Sequence, residues 1–300
     1  MIIHELESFA AVAELGSFTK AAENLSITQP AVTRHILNLE RVYNTRLFDR
    51  MGRGVKITAP GRVLLAYARQ ILSLNKQAEQ GMRELSDGAG GQLSIGASST
   101  AATYRLPSLL RILHDRYPAI ELSVYTGTSV AMTRLVMDNA VDVGVVMQHQ
   151  TENHLSSVAF AEYENVLVMH PGHRLDKGHG SRVDFSELRD ETVISMQPGT
   201  TMRSFIDKLA ADNGRPLNIL LELDNVEAIK KMVEARLGVA VLPDIALAED
   251  LSDGTLVARQ FHQRHGSTEN MAAIYRSDRY IAAPVQAFLD VIESGKAHRA

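Results

Sequence analysis

Apolar positions in the N-terminal part of the chain follow a helical period and predict three short amphipathic helices. Two apolar faces have the spacing i, i+3, i+4, i+7, and they are Leu6, Phe9, Ala10 and Ala13, then Phe18, Ala21, Ala22 and Leu25. Gly16 ends the first helix, and Ser17 caps the second. A third helix follows the cap Thr28, has Pro30 in its first turn, and buries Val32, Ile36 and Leu39. Two helices joined by a turn this tight predict a helix-turn-helix.

The segment after the third helix predicts a β-hairpin. Two short runs, Arg46-Leu47-Phe48-Asp49-Arg50 and Val55-Lys56-Ile57-Thr58, flank a turn that contains Gly52 and Gly54. The hairpin would form a wing beside the three helices. We therefore expect residues 1–58 to fold as a winged helix-turn-helix domain.

A long helix is predicted over residues 59–87. One series of positions along it alternates in steps of four and three residues and is apolar except for Asn75. Its members are Leu64, Ala68, Ile71, Asn75, Ala78, Met82 and Leu85. A period of 3.5 residues is typical of the seam between two paired helices, in which a polar residue such as Asn75 fixes the register. The alternative is that the helix packs on its own domain. We favour a dimerisation helix, which Asp87-Gly88-Ala89-Gly90-Gly91 ends at a flexible boundary.

Strands and helices alternate over the remaining residues, 88–300. The order predicts an α/β domain with a parallel sheet and helices on both faces. Expected strands cover 92–97, 120–125, 141–147, 166–169, 192–195, 219–223, 239–242 and 272–275. Expected helices cover 105–116, 130–139, 201–212, 226–236 and 285–292.

Composition excludes several classes of function. The chain has no Cys, which excludes disulfides and thiolate sites, and it has no apolar run long enough to span a membrane. Its first residues lack the pattern of a signal peptide, so we expect the cytoplasm. No arrangement of residues suggests a catalytic set, a metal site or a cofactor, and we expect a protein that is not an enzyme.

Local charge favours a nucleic-acid partner although the net charge is −4. Residues 29–62 carry seven Lys and Arg against two acidic residues, whereas residues 1–28 carry one Lys against four Glu. A basic stretch on a helix-turn-helix suits the phosphate backbone of double-stranded DNA. The residues expected to contact DNA are Thr28, Gln29, Pro30, Thr33, Arg34, Arg50 and Arg53.

The N-terminal sequence resembles the LysR-type transcriptional regulators. The resemblance lies in Phe18-Thr19-Lys20-Ala21-Ala22, in Thr28 to Ile36, in Leu39-Glu40 and in Arg46-Leu47-Phe48-Asp49-Arg50. Thr33 stands where many members have serine, so a hydroxyl is retained. The resemblance implies a C-terminal effector domain like the periplasmic binding proteins, with subdomain I at about 92–162 and 268–300 and subdomain II at about 163–267. It also implies a homodimer, a homotetramer built as a dimer of dimers, and RNA polymerase as a further candidate partner.

In such a domain the ligand lies between the subdomains, at the carboxyl ends of the strands. Loops at those positions carry hydroxyl groups that favour a small anionic effector, a co-inducer whose identity the sequence does not give. The expected effector site comprises Ser98, Ser99, Thr100, Thr128, Met147, Thr200, Thr201 and Arg203. For any single loop the alternative is an ordinary helix cap.

Two hypotheses therefore remain for the whole chain. The first is a DNA-binding regulator that responds to an effector. The second is an enzyme or solute-binding module in which the N-terminal helices serve only dimerisation. The basic wing and the Gln29, Thr33 and Arg34 face favour the first.

Overall fold

The computed structural model describes residues 2–51, 54–87, 90–147, 154–176, 182–214, 216–262 and 268–297. The chain divides into two compact units, one built mainly from residues 1–88 and one mainly from residues 89–300. None of the described helices combines the length and the apolar content that a membrane crossing requires.

The first unit is the predicted winged helix-turn-helix followed by a long helix. Its elements are α1 (Ile2–Leu15), α2 (Phe18–Asn24), α3 (Gln29–Val42), β1 (Phe48–Met51), β2 (Gly54–Ile57) and α4 (Ala59–Asp87). The predicted caps are confirmed, because the Ser17 and Thr28 hydroxyls accept the N–H groups of Lys20 and Ala31. Gly16 ends α1 with a φ of +61°, a conformation that glycine adopts without strain.

Aromatic contacts join the wing to the three helices. The ring of Phe48 on β1 lies 5.3 Å from that of Phe9 on α1 and 6.0 Å from that of Phe18 on α2. Phe9 is fully buried, as are Val12 and Val32. The Glu40 carboxylate on α3 accepts the Leu47 N–H at 2.8 Å. The hairpin is therefore held against the helices by the aromatic contacts of Phe48 and by the backbone hydrogen bond from Leu47 to Glu40.

The long helix α4 has two different apolar faces. Leu64 and Ala68 pack into the core of their own domain, as the alternative interpretation of the sequence held. A second face points to solvent, and its exposed members are Val63, Tyr67, Ile71, Leu74 and Met82. We call these five residues the α4 stripe. The Asn75 amide donates to Glu79 on the same helix at 2.8 Å.

The second unit begins with the predicted strand–helix alternation. Its first part contains β3 (Gly91–Ser98), α5 (Ser99–Tyr104), α6 (Leu106–Arg116), β4 (Ile120–Gly127), α7 (Ser129–Met137), β5 (Val143–Met147) and β6 (Leu155–Met169). β3 pairs in parallel with both β4 and β5. The sheet is nevertheless mixed and not wholly parallel as predicted, because β12 (Thr268–Arg276) runs antiparallel between β5 and β6.

The rest of the unit is built on the end of β6. It comprises β7 (Arg182–Val183), β8 (Thr192–Met196), α8 (Thr201–Asp212), β9 (Asn218–Leu223), α9 (Val226–Glu234), β10 (Ala240–Pro243), α10 (Ala248–Asp253), β11 (Val257–Phe261) and the final helix α11 (Ala283–Ala297). Short 3₁₀ helices cover Phe185–Asp190 and Asp244–Ala246. β6 pairs with β12 up to Glu164, and from Asn165 onward it pairs with β10 and β11. One continuous strand therefore links the two halves of the unit.

Candidate DNA-contacting surface and ligand cleft

The N-terminal end of α3 presents the side chains that the sequence proposes for base contact. Gln29 and Arg34 are exposed, and Thr33 is half-buried beside them. The Thr33 hydroxyl donates to the Gln29 carbonyl at 3.0 Å, and the Gln29 amide lies 3.4 Å from the Thr33 hydroxyl. Thr28 caps the helix and Pro30 occupies its first turn. These residues therefore form one polar surface at a helix start.

Two polar residues farther along α3 face the domain instead. The Asn38 amide donates to the buried carboxylate of Glu5 on α1 at 3.2 Å. His35 lies 2.7 Å from the Ser8 hydroxyl, also on α1. The exposed side chains of Gln29 and Arg34 thus lie in the first turns of α3, the part of a recognition helix that reaches base edges.

The wing, which a hydrogen bond to Glu40 joins to the C-terminal part of α3, carries basic residues. Asp49 on β1 is paired in register with Lys56 on β2, and Lys56 is exposed. Of Arg50 only the backbone is described, and Arg53 lies outside the described residues. Both stay predictions as DNA contacts.

A cleft of about 780 Å³, including its open mouth, lies at the carboxyl ends of β3, β4 and β5 and reaches across to α8 and α9. Seven of the eight predicted effector residues line it, and they are Ser98, Ser99, Thr100, Thr128, Met147, Thr200 and Thr201. The structure therefore brings together loops that are about a hundred residues apart in sequence.

Several of these hydroxyls are already engaged in holding the local fold. The Ser98, Thr128 and Thr200 hydroxyls accept the N–H groups of Ala101, Ala131 and Arg203, respectively, in helix caps, at 3.1 Å for Thr128 and 3.2 Å for Thr200. The Ser99 hydroxyl donates to the Gly127 carbonyl at 3.3 Å.

Thr100 and Thr201 differ from the other hydroxyl residues of the cleft. Within the described part of the chain, neither side chain has a hydrogen-bond partner, and both are partly exposed. Their hydroxyls remain available to a ligand.

Arg203 is the predicted effector residue that does not line the cleft. Its guanidinium contacts the Asp207 carboxylate at 2.8 Å and the Glu222 carboxylate at 2.5 Å. Hydrogen bonds to Asp207 and Glu222 raise the pKa of Arg203. Its charge is therefore matched within the protein, and the described residues that line the cleft include no Lys or Arg.

Five polar residues of the cleft are absent from the sequence-based site, and they are Ser129, Tyr163, Asn165, Gln197 and Asp224. Tyr163 and Asn165 come from β6 and are 4% and 2% exposed, whereas Asp224 is an exposed carboxylate at the start of α9. Alternation along β6 puts Tyr163 and Asn165 on one face. Burial raises the pKa of Tyr163, and Glu269 raises it further. The tyrosine therefore keeps its proton at neutral pH.

A charged network joins the two halves of the second unit beside the cleft. Tyr104, at the end of α5, donates its hydroxyl to Glu227 on α9. Lys230 lies 3.0 Å from the same carboxylate and 2.6 Å from Asp250 on α10. Although burial lowers the pKa of Lys230, the hydrogen bonds to Asp250 and Glu227 raise it overall. Lys230 is buried and keeps its charge because these two carboxylates surround it.

Curated relatives resemble the chain over most of its length. A probable RuBisCO transcriptional regulator from Cyanophora paradoxa is 33% identical over 85% of this chain and 80% of the relative. The transcriptional regulator CfxR of Cupriavidus necator is 31% identical over 93% and 90% of the two chains.

Solved structures share the fold. Full-length CbnR in complex with its target DNA has a TM-score of 0.71 and 21% identity, covering 98% of this chain and 100% of that chain. Full-length OxyR from Pseudomonas aeruginosa has a TM-score of 0.75 at 21% identity, over 99% and 94%. The effector-binding domain of QuiR in complex with shikimate matches 70% of this chain and 99% of its own, with a TM-score of 0.62 and 18% identity.

Two family matches account for nearly the whole chain. Residues 3–62 match the bacterial regulatory helix-turn-helix proteins of the lysR family, and residues 86–296 match the LysR substrate binding domain. The first match covers the polar surface of α3 and the wing, and the second covers the cleft. The chain belongs to the LysR family of DNA-binding transcriptional regulators, and it is not an enzyme.

Proposed function

We propose that Thr28, Gln29, Pro30, Thr33, Arg34, Arg50 and Arg53 are the residues with which this regulator contacts operator DNA. The exposed start of α3 supports this assignment, because the groups on it can bond to base edges or to phosphates. The functional division of the chain that we propose is a DNA-binding domain at 1–58, a dimerisation helix at 59–87 and an effector domain at 88–300. Since its target is the chromosome, we place the protein in the cytoplasm.

The α4 stripe is the surface that we assign to homodimerisation. Val63 and Tyr67 are 61% and 60% exposed, and Leu74 is 50% exposed. Apolar residues that recur on one face of a 29-residue helix are typical of helix pairing. A dimer places two recognition helices on two half-sites of an operator, and a homotetramer would contact two such pairs.

The cleft is the site that we propose for a small anionic effector. The observation that carries the proposal is the convergence of seven sequence-predicted residues on one cleft. The helices α7 and α8 begin there, and the first-turn N–H groups of a helix attract an anion. With Arg203 paired to carboxylates, these N–H groups and the free hydroxyls would hold the anion in place of a cation.

One experiment tests both parts on the full-length protein. Binding to duplex DNA from upstream of its own gene is followed by fluorescence anisotropy at several salt concentrations, with and without small carboxylates and phosphates. We expect log K to fall with log salt by about 0.9 for each phosphate contacted, and one of the anions to change the affinity. Affinity independent of salt would reject the DNA surface. An affinity that no anion changes would reject the anionic effector.

A further inference from the structure

Asn165 is a buried polar residue whose hydrogen-bonding capacity is not met within the protein. It lines the cleft and is 2% exposed, and its Oδ1 atom has no hydrogen-bond partner. An unpartnered buried acceptor lowers stability, so the position of this oxygen at the cleft suggests a ligand group that pairs with it.

The groups near Asn165 indicate what this ligand presents. Tyr163 shares its face of β6 and offers a protonated hydroxyl, and Asp224 adds a carboxylate at the cleft. A carboxylate or phosphate can only accept hydrogen bonds, so an anionic group cannot satisfy the Asn165 oxygen or Asp224. A hydroxyl can donate to either of these acceptors.

We infer that Asn165 is a specificity-determining residue and that the effector is a hydroxylated acid, one hydroxyl of which donates to the Asn165 carboxamide. The inference rests on the proposed effector cleft and adds a chemical class to it. The acidic group lies at the starts of α7 and α8, and the hydroxyl lies on the β6 side of the cleft. Small acids without hydroxyl groups would leave Asn165 unpaired and would be discriminated against.

The test uses thermal unfolding of the full-length protein with matched pairs of acids. The pairs are shikimate and cyclohexenecarboxylate, glycerate and propionate, and ribose phosphate and pentyl phosphate. We expect at least one hydroxylated member to raise the unfolding midpoint by about 5–10 °C at a hundredfold excess over its Kd, and its partner without hydroxyls to have little effect. In Asn165→Leu the Kd of that acid should rise by about tenfold or more.

A second readout separates recognition from a structural role. Leucine has a similar size and removes the unpaired acceptor, so Asn165→Leu without ligand should unfold at the same temperature as wild type or higher. Asn165→Ala provides the same binding comparison if leucine does not fit. Ser195→Ala, which removes a buried hydroxyl outside the cleft lining, is the control and should keep wild-type ligand affinity.

The outcomes distinguish this inference from the proposed function. If acids with and without hydroxyls stabilise the protein equally, or if Asn165→Leu keeps full affinity, the anionic cleft stands and the role of Asn165 is rejected. A lower unfolding temperature of both Asn165 variants with unchanged ligand affinity would identify a structural residue. If no acid of either kind stabilises the protein, both proposals are wrong.

Discussion

The hydroxyl groups of the cleft fall into two kinds that substitution can separate. Thr128 is committed to the N–H of Ala131, whereas Thr100 has no internal partner in the described structure. We predict that Thr100→Val leaves the unfolding temperature nearly unchanged but weakens effector binding by about 1 kcal/mol, roughly fivefold in Kd. Thr128→Val should in addition destabilise the protein by about 1 kcal/mol, since it removes a helix cap.

Calorimetry on folded protein checks the Thr100 prediction with the hydroxylated acid that binds wild type most tightly. Thr103→Val is the matched control, because Thr103 lies on the same helix, donates to the Ser99 carbonyl and does not line the cleft. Equal affinities of Thr100→Val and Thr103→Val would remove Thr100 from the site.

Arg34 is the exposed cation of α3 that we expect to read bases. The Arg34→Ala variant should fold normally, because Arg34 lies outside the buried stripe of Val32, Ile36 and Leu39. Loss of a bidentate base contact should weaken operator binding by about 1–3 kcal/mol while non-specific binding changes less. Arg111→Ala, which removes a surface arginine paired to Asp115 in the second unit, is the control. Unchanged specificity in footprinting would contradict the assignment.

The sequence predicted residues of the site that lie at strand ends, and it missed Tyr163 and Asn165 inside β6. Ser and Thr before helices mark strand ends, so six of the eight proposed effector residues could be found from this local pattern. Asn165 stands before an apolar run, where nothing local distinguishes a cleft residue. Arg203 was expected to be available because its partner Glu222 is on a strand whose pairing with β8 only the fold reveals.

At the scale of elements, α4 packs one apolar face against its own domain and exposes another, the α4 stripe. We predict that Ile71→Glu, which puts a charge in the α4 stripe, dissociates the dimer and weakens binding to an operator with two half-sites. Ala66→Glu puts the same charge on an exposed position away from the stripe and should leave the dimer intact. Sedimentation velocity measures both variants, and an unchanged oligomer for Ile71→Glu would reject the stripe as the interface.

Helices were predicted well because their signals are local, whereas strand pairing was not. Caps and periodicity placed α8 at its observed bounds, Thr201–Asp212. The antiparallel insertion of β12 between β5 and β6 depends on contacts more than a hundred residues apart, and periodicity carries no information on strand direction. The first half of β6 was missed as well, because Ser156, Ser157 and Glu162 interrupt its apolar residues.

At the scale of the whole effector unit, one network connects the two halves that a ligand would bridge. Helix α5 begins at the cleft with Ser99 and ends with Tyr104, and α9 begins at the cleft with Val226 and carries Glu227. The Tyr104–Glu227 hydrogen bond thus ties together two helices that also contact the ligand site. A change in the angle between the halves would have to stretch or break this bond, so it biases the equilibrium that an effector shifts.

Removal of this hydrogen bond should therefore change the response to effector and the dependence of stability on pH. Burial raises the pKa of Glu227, but hydrogen bonds from Tyr104 and Lys230 lower it overall. A carboxylate with a lowered pKa stabilises the fold above its ordinary pKa, and this stabilisation is lost as the pH falls through the folded-state pKa.

We predict that Tyr104→Phe lowers stability at pH 7 by about 1 kcal/mol, a modest value because Glu227 is half exposed. The difference in unfolding temperature from wild type should shrink between pH 7 and acid pH, as the pH falls through the lowered folded-state pKa of Glu227 and the carboxylate becomes protonated. Tyr125→Phe, which removes an exposed hydroxyl on β4, should show no difference at either pH. A Tyr104→Phe defect that persists unchanged at low pH would mean that the Tyr104 hydroxyl does not stabilise the protein through the ionised Glu227 carboxylate.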